Sequence, residues 1–353
     1  MSQLSRTAVV ERVLALVEAR LDTQLDQAPV VGDEGREALS EVGRITVAFH
    51  PDRLDRRGLT TAEGLHVDGG YLPQWLTGAS SGSRSALPGG LRADWEAAQF
   101  AVDVDVPLAH RPVYGALDLL HHRHGGSPAF GSCHLVLHDH VRARCTLSVG
   151  DSHLGPAQVG TFRRHEAILS GLIEQASAGG LLGQDLDLDD LRAVLAGQRR
   201  GAPRRTLDFY VEAQVHGGVR LEDIAAIVAD PSFSSSPIAA HLERAAEAAD
   251  ARLEWHPGTA IVPSELATHP TAIAWVDDDD YLTRLAEELE RLAAPSRLAS
   301  AADIGQLTAD TRPGPPTLTG DEPRSVLQRV KHLWRLTYLL GRDAAPGRLR
   351  ARR

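Results

Sequence analysis

Short apolar runs rich in β-branched residues alternate with long Gly-, Ser-, His- and Pro-rich stretches between residues 44 and 161. Runs of this length and composition predict short β-strands rather than helices. Long loops on a strand scaffold are where binding and catalytic side chains usually lie. We therefore expect a β core here whose loops carry the function; the runs include ITVAF, AVDVDV, PVYGALDLL, CHLVLHDHV and RARCTLSV.

Helical patterns flank this β region and follow it along the chain. Apolar residues recur at helical spacing over residues 5–27, and again over 163–199, 237–254 and 278–293. A further strand, LDFYVEAQV, lies among them. The pattern predicts an α+β fold, with a mixed or antiparallel β-sheet core and helical additions at both ends.

We divide the chain into four segments. Residues 1–43 form an N-terminal helical segment, and residues 44–300 form the main α+β domain, which is the candidate catalytic part. Residues 301–323 are rich in Pro and Gly and are expected to act as a linker. Residues 324–353 are predicted to form a C-terminal helix with a basic tail.

Composition limits the partners and the compartment. A formal net charge of −10 disfavours a protein whose whole surface binds nucleic acid. The chain has two cysteines, Cys133 and Cys145, too few for a disulfide scaffold, and free thiols are expected. Charged residues interrupt the first apolar stretch, and no run of 18 apolar residues occurs. We expect no membrane partner and a cytoplasmic protein, or one exported by a dedicated secretion system without a signal peptide.

The strand beginning ITVAF ends in HPDR, which places His50 and Arg53 at its carboxyl end. Arg offers a fixed fork of donors suited to phosphate or carboxylate. His can hydrogen-bond a ribose or act as a base. The two are candidate site residues, and an ordinary turn with a surface ion pair explains the pattern equally well.

Two loops carry further candidate side chains. The stretch YLPQWLTGASS holds Tyr71 and Trp75, followed by the hydroxyls of Thr77, Ser80 and Ser81. It lacks the spacing of a phosphate-binding P-loop, so a flexible polar loop is the alternative.

The second loop follows the strand that begins at RARC. The stretch GDSH contains Asp151 together with a Ser and a His, but neighbours in sequence seldom form a catalytic triad. A simple turn explains this stretch equally well.

A dense group of histidines raises the possibility of a metal. No standard ligand motif matches their spacing. A metal-dependent hydrolase using the cluster between His121 and His140 is therefore an alternative function, and a metal is not favoured as cofactor. The cluster comprises His121, His122, His124, Cys133, His134, His138 and His140.

Glu212 is the remaining candidate, in the strand FYVEAQV. Strand alternation places it on the same face as Tyr210 and Gln214, opposite Val211 and Ala213. A Glu in a strand of apolar character is costly to bury without partners. Glu212 is thus either a site residue or part of a solvated strand face.

Several ordered motifs resemble a bacterial family of unknown function, domain-of-unknown-function family 3626. They are ITVAFHPDR, the Gly70–Gly82 stretch, PGGLRADWE, RPVYGAL, AFGSCHLVL, GDSH and YVEAQVHG. The resemblance runs from residue 44 to about residue 260. The family name itself implies no activity.

The order of motifs also resembles, more distantly, the ADP-ribosyltransferase superfamily. That resemblance implies a split β-sheet and NAD as substrate, with ADP-ribosyl transfer to a macromolecular acceptor or NAD hydrolysis. Glu212 would stabilise the ribosyl oxocarbenium and His50 or Arg53 would hold NAD. The remaining part of the NAD site would be formed by Thr77, Ser80, Ser81, Tyr71, Trp75, Tyr114 and Asp151.

The hydroxyl motif and the acidic motif of this chain both differ in detail from the superfamily pattern. The hydroxyl motif of this chain is T-G-A-S rather than S-T-S, and Tyr210 precedes Glu212 where the superfamily has Gln or Glu. A catalytically inactive binding module of the same fold is therefore a further alternative.

Overall fold

The protein is described by a computed structural model. It describes residues 4–24, 39, 41–78, 89–102, 105–152, 155–156, 158–201, 205–207, 209–268, 279–293, 298–309 and 326–344. The strands of this part are β1 (Arg44–Phe49), β2 (Gly70–Tyr71), β3 (Val113–Asp118), β4 (Cys133–Leu137), β5 (Cys145–Val149), β6 (Val159–Thr161), β7 (Val211–Val215), β8 (Val219–Arg220), β9 (Ile224–Ala229), β10 (Arg252–Trp255), β11 (Thr259–Ile261), β12 (Ala299–Ser300) and β13 (Arg342–Asp343).

Helices surround these strands, and several begin with the signals that the sequence carries. Asp187 and Asp190 form a capping box at the start of α6, and Ser300 and Asp303 form another at the start of α10. The helices of the described part are α1 (Arg6–Gln24), α2 (Thr61–Val67), α3 (Gln74–Thr77), α4 (Leu91–Phe100), α5 (Glu166–Ser177), α6 (Leu188–Leu195), α7 (Pro237–Ala248), α8 (Pro263–Thr268), α9 (Asp279–Ala293), α10 (Ala301–Gly305) and α11 (Val326–Leu340).

Eight strands form one open, mixed sheet in the order β10-β9-β4-β1-β3-β7-β5-β6. β9 and β10 are parallel, and the other neighbours are antiparallel. Two small sheets accompany it, β12-β11-β13 and β2-β8. The predicted α+β class with a mixed sheet is confirmed.

The two faces of the main sheet differ in chemistry because successive side chains of a strand point to opposite sides. On β7, the residues Val211, Ala213 and Val215 belong to the hydrophobic core. Glu212 pairs with Ala116 on β3 and with Ser148 on β5, so small or polar side chains share its face. This second face combines low volume with hydrogen-bonding groups, which leaves room for a cleft.

Helices cover both ends of the sheet. α5 packs against β5 and β6, and α1 crosses β6 and α4. Beneath α1, a second apolar cluster includes Val9, Val13, Phe100 and Val106. α11 packs against β11 and the turn Pro128–Phe130, where Trp334 Nε1 donates to the Pro128 carbonyl over 2.8 Å. The C-terminal helix is therefore an integral part of the core.

The sequence predicted most of these elements. The helix expected over residues 5–27 is found at Arg6–Gln24, and the strands expected from ITVAF, PVYGALDLL, CHLVLHDHV, RARCTLSV and LDFYVEAQV are all present. The strand expected at AVDVDV is wrong for its described residues. Ala101 caps the end of α4 with φ of 49°, and Val102 and Val106 belong to the second apolar cluster and to no strand.

The predicted linker over residues 301–323 lies only partly in the described residues. Residues 301–305, expected at the start of a linker, form α10, while residues 310–323 lie outside the described part. Cys133 and Cys145 are free and buried. Among the described helices, none is long and apolar enough to span a bilayer.

Candidate functional site

A cleft of about 690 Å³, counted with the solvent at its mouth, opens on the polar face of the sheet. Its floor lies at small residues, Ala48 on β1 and Gly115 on β3. Four aromatic residues line it: Tyr71, Tyr114, Phe130 and Tyr210. The charged groups on its wall are Arg92, Asp151 and Glu212.

Glu212 lies buried at this cleft with both carboxylate oxygens hydrogen-bonded. Gln214 Nε2 donates to Oε1 over 2.8 Å. Oε2 accepts from the Ser152 backbone N–H at 3.3 Å, from Ser152 Oγ at 3.2 Å and from the Tyr210 hydroxyl at 3.3 Å. These donors satisfy a carboxylate that would otherwise be costly to bury.

Burial raises the pKa of Glu212 to about 7, and the charge of Asp151 adds to the rise. The charge of Arg92 and the hydrogen bonds from Gln214 and Ser152 oppose the rise in pKa. Near neutral pH, Glu212 is therefore divided between its protonated and ionised forms. A carboxyl group that changes charge near pH 7 in a cleft is typical of a catalytic site.

A line of buried hydrogen bonds continues from Glu212 along β5 and β7. Gln214 also donates to Ser148 Oγ at 3.1 Å and accepts from Thr146 Oγ1 at 2.8 Å. Because the Thr146 hydroxyl gives its proton to Gln214, it accepts from His216 Nε2 at 2.8 Å. Burial lowers the pKa of His216 to about 3, so the imidazole is neutral. The line fixes which end of the Gln214 amide faces Glu212.

A second buried carboxylate, Glu96 on α4, holds side chains at the cleft, among them Tyr114. It accepts from Trp75 Nε1 at 3.2 Å, from Arg111 Nη1 at 3.1 Å and from the Tyr114 hydroxyl at 3.0 Å. The Arg111 guanidinium stacks on the Trp75 ring at 4.0 Å. Tyr114 is thereby held in one orientation beside the cleft.

Arg92, also on α4, packs over the ring of Tyr114. Its guanidinium carbon lies 4.0 Å from the centre of the Tyr114 ring. The residue is only 8% exposed, and it lines the cleft with Glu212.

The structure brings together some of the predicted site residues. Glu212, Asp151, Tyr71 and Tyr114 all line the cleft, and Trp75 lies behind it as a donor to Glu96. Thr77 ends α3, a short helix, and does not line the cleft. Ser80 and Ser81 lie outside the described residues.

His50 and Arg53 are not among the described residues that line the cleft. The His50 ring meets the edge of Trp334 with centres 5.5 Å apart, and burial holds its pKa well below the ordinary value. Arg53 is 5% exposed and lies near Tyr71, where its charge opposes the rise in the Tyr71 pKa to about 12. Arg53 therefore interacts with a residue of the cleft wall, Tyr71, whereas the described ring contact of His50 is with Trp334.

The predicted histidine cluster separates into smaller groups, with His122 in ring contact with His124 and His138 in ring contact with His140. His121 Nε2 lies 2.8 Å from the Val42 carbonyl, His122 contacts the Tyr338 hydroxyl at 3.3 Å, and His140 pairs with Asp223 at 3.0 Å. In the part of the chain that the structure describes, no group of three or more His, Cys, Asp or Glu is placed to hold a metal.

Among the residues of the site that were not predicted from the sequence as site residues are Arg92, Glu96 and Tyr210. Arg92 and Glu96 belong to PGGLRADWE, which resembled a family motif without an assigned role. Tyr210 was placed on the face of Glu212 by strand alternation, which could have identified it. No comparable pattern identifies charged residues of a helix, such as Arg92 and Glu96, as site residues.

Comparison with known proteins places the chain in a family but leaves its activity open. A family model described as "Protein of unknown function (DUF3626)" matches residues 44–338. The "Gene 2 protein" of Mycobacterium phage L5 is 27% identical over 240 residues, which cover 59% of this chain and 85% of the phage protein. The match to the family model includes every residue that lines the cleft, and it extends past the expected limit near residue 260 into α11. The chain therefore belongs to the DUF3626 family of proteins of unknown function.

Proposed function

We propose that the protein cleaves the bond between nicotinamide and ribose in NAD and transfers ADP-ribose to a macromolecular acceptor or to water. The observation that carries this proposal is the position of Glu212, a buried carboxyl group hydrogen-bonded on both oxygens at an aromatic-lined cleft. A fixed carboxylate in such a site stabilises positive charge that develops on a sugar ring.

The reaction can be written with each group accounted for. The bond between ribose C1′ and the nicotinamide nitrogen breaks, and its electron pair neutralises the pyridinium. The ribose becomes an oxocarbenium ion, which ionised Glu212 stabilises. An acceptor oxygen or nitrogen then bonds to C1′ and loses a proton. Asp151, which lines the same cleft, is the candidate to take that proton.

The aromatic residues at the cleft suit the leaving group. Nicotinamide is flat, and stacking on an aromatic ring binds it with a defined orientation. Tyr114 is held by Glu96, and Tyr210 is held by Glu212, so both rings are ordered before any ligand arrives. We include in the same proposal that the β core is a split sheet of the ADP-ribosyltransferase type. His50 and Arg53 would then act on NAD through Tyr71.

The test is nicotinamide release from NAD, measured by chromatography with and without a protein acceptor mixture. Glu212→Gln keeps the shape and most hydrogen bonds but removes the charge, and we expect release to fall about 100-fold or more. Glu254→Gln, a substitution at an exposed glutamate of β10, is the matched control and should retain full activity.

Two outcomes would count against the proposal. Release that survives in Glu212→Gln would remove this residue from the chemistry. NAD binding by the wild type without any release would instead indicate a non-catalytic binding module.

A further inference from the structure

Arg92 is a buried cation without a hydrogen-bonding anion in the described structure. Its Nε and Nη1 atoms are closed off from solvent and have no hydrogen-bond partner among the described residues. The residue is 8% exposed and lines the same cleft as Glu212. Burying a charged group in this way is costly unless an anion and hydrogen bonds compensate for it.

The nearby carboxylates compensate the charge of Arg92 and raise its pKa, but no described hydrogen bond joins them to its Nε and Nη1 atoms. The described hydrogen bonds of Glu96 come from Trp75, Arg111 and Tyr114, and those of Glu212 come from Ser152, Tyr210 and Gln214. Both carboxylates influence Arg92 through their charge, but neither forms a described ion pair with it. The guanidinium therefore retains donors for another acceptor.

The ring of Tyr114 orients those donors. The guanidinium carbon lies 4.0 Å from the centre of the Tyr114 ring, the Arg92 side chain also hydrogen-bonds Tyr114, and the bond from Tyr114 to Glu96 holds the ring itself. A planar fork held in advance is the geometry that binds two phosphate oxygens at once. Lys, a point charge, could not reproduce it.

We infer that Arg92 binds the diphosphate of the dinucleotide substrate. This inference rests on the proposed function for the identity of the ligand, since the unpartnered donors themselves indicate only an oxyanion. It assigns the diphosphate to α4, whereas the sequence pointed to Arg53 at the end of β1. The Nε atom of Arg53 also lacks a partner within the described part of the chain, but Arg53 does not line the cleft.

Binding of ADP-ribose and of inorganic pyrophosphate, measured by isothermal titration calorimetry, tests the inference. We expect pyrophosphate to compete with ADP-ribose on the wild type. Arg92→Gln should weaken binding of both about 10- to 100-fold, and Arg92→Lys should lose less. Arg252→Gln, a substitution at an exposed arginine of β10, is the control and should change pyrophosphate binding less than about threefold, while Arg53→Gln tests the position that the sequence indicated.

Thermal unfolding of each variant confirms that it is folded, and Arg92→Lys keeps the buried charge if Arg92→Gln does not fold. Wild-type affinity in a folded Arg92 variant, loss through Arg53→Gln instead, or a wild type that binds no pyrophosphate would each overturn the inference.

Nicotinamide release separates this inference from the proposed function. A wild type that binds pyrophosphate through Arg92 but releases no nicotinamide leaves the diphosphate site standing and removes the proposed reaction. A wild type that releases nicotinamide, with an Arg92→Gln variant that binds pyrophosphate normally, removes only the diphosphate site.

Discussion

Gln214 Nε2 donates to Glu212 Oε1 across 2.8 Å, two residues away on the same face of β7. The donor is itself fixed, because the carbonyl end of its amide accepts from Thr146 at 2.8 Å. Glu212 is thus held by a side chain that can neither turn over nor move away without breaking further buried hydrogen bonds. This arrangement makes Gln214 a positioning residue for the candidate catalytic carboxylate.

Replacing Gln214 with Met should lower the turnover of NAD cleavage about 10- to 100-fold while changing KM little. Met has a similar volume but donates no hydrogen bond. Because the bond from Gln214 lowers the pKa of Glu212, its loss should also move the pH of half-maximal activity upward. A pH–rate profile measures that shift, and an unshifted profile with reduced turnover would indicate a structural effect alone.

Replacing Glu212 with Gln should make the protein more stable above pH 7. The pKa of Glu212 is raised from 4.5 to about 7, so between these values the folded state holds a proton that the unfolded state has lost. Stability therefore falls as the pH rises through this window, and the loss is complete above it. The variant escapes this loss, with a gain of ~1–3 kcal/mol at pH 8 and little gain at pH 4.

Urea denaturation of Glu212→Gln and wild type at several pH values measures this difference. Glu254→Gln serves again as the control, since an exposed carboxylate should give no pH-dependent gain. A stability difference that does not vary with pH would contradict a raised pKa for Glu212.

Replacing Glu96 with Gln should destabilise the protein by ~3–5 kcal/mol. Glu96 is fully buried, and its charge balances Arg111, from which it accepts a bond at 3.1 Å. Removing one partner of a buried pair leaves the other charge without compensation. Urea denaturation should detect the loss, whereas Asp94→Asn on the exposed side of α4 should cost less than about 1 kcal/mol. Equal effects of the two variants would rule out this role for Glu96.

Replacing His134 with Leu should improve resistance to acid. His134 is 1% exposed, and in the described structure neither of its ring nitrogens has a hydrogen-bond partner. Burial holds its pKa well below the ordinary value, with the charges of His256 and Arg44 adding to the effect. Unfolding therefore takes up a proton below about pH 6.5, and stability falls as the pH falls.

The variant lacks this proton uptake, so its advantage over the wild type should grow by up to ~1.4 kcal/mol per pH unit below pH 6. Circular dichroism during acid titration records the change. His138→Leu alters an exposed histidine of the same region and should show no such trend. If both variants respond alike, burial of His134 is not the cause.

The local sequence pattern determined the strands and the face on which Glu212 lies. Alternation in VEAQV placed Glu212 with Gln214 and Tyr210, and hydrogen bonds join Glu212 to both of these residues. Such patterns are reliable because the side-chain period of a strand is fixed by its backbone. The same rule gave β1, β3, β4 and β5 from their apolar runs.

Tertiary structure alone decided which polar residues meet. Ser152 reaches Glu212 across 60 residues of sequence because β5 and β7 are neighbours in the sheet, an order that no local pattern encodes. Arg92 and Glu96 enter the site because α4 lies over that face, while His50 turns to Trp334. The sequence by itself determined which side chains share a strand face; the order of strands and the docking of helices decided which faces form the cleft.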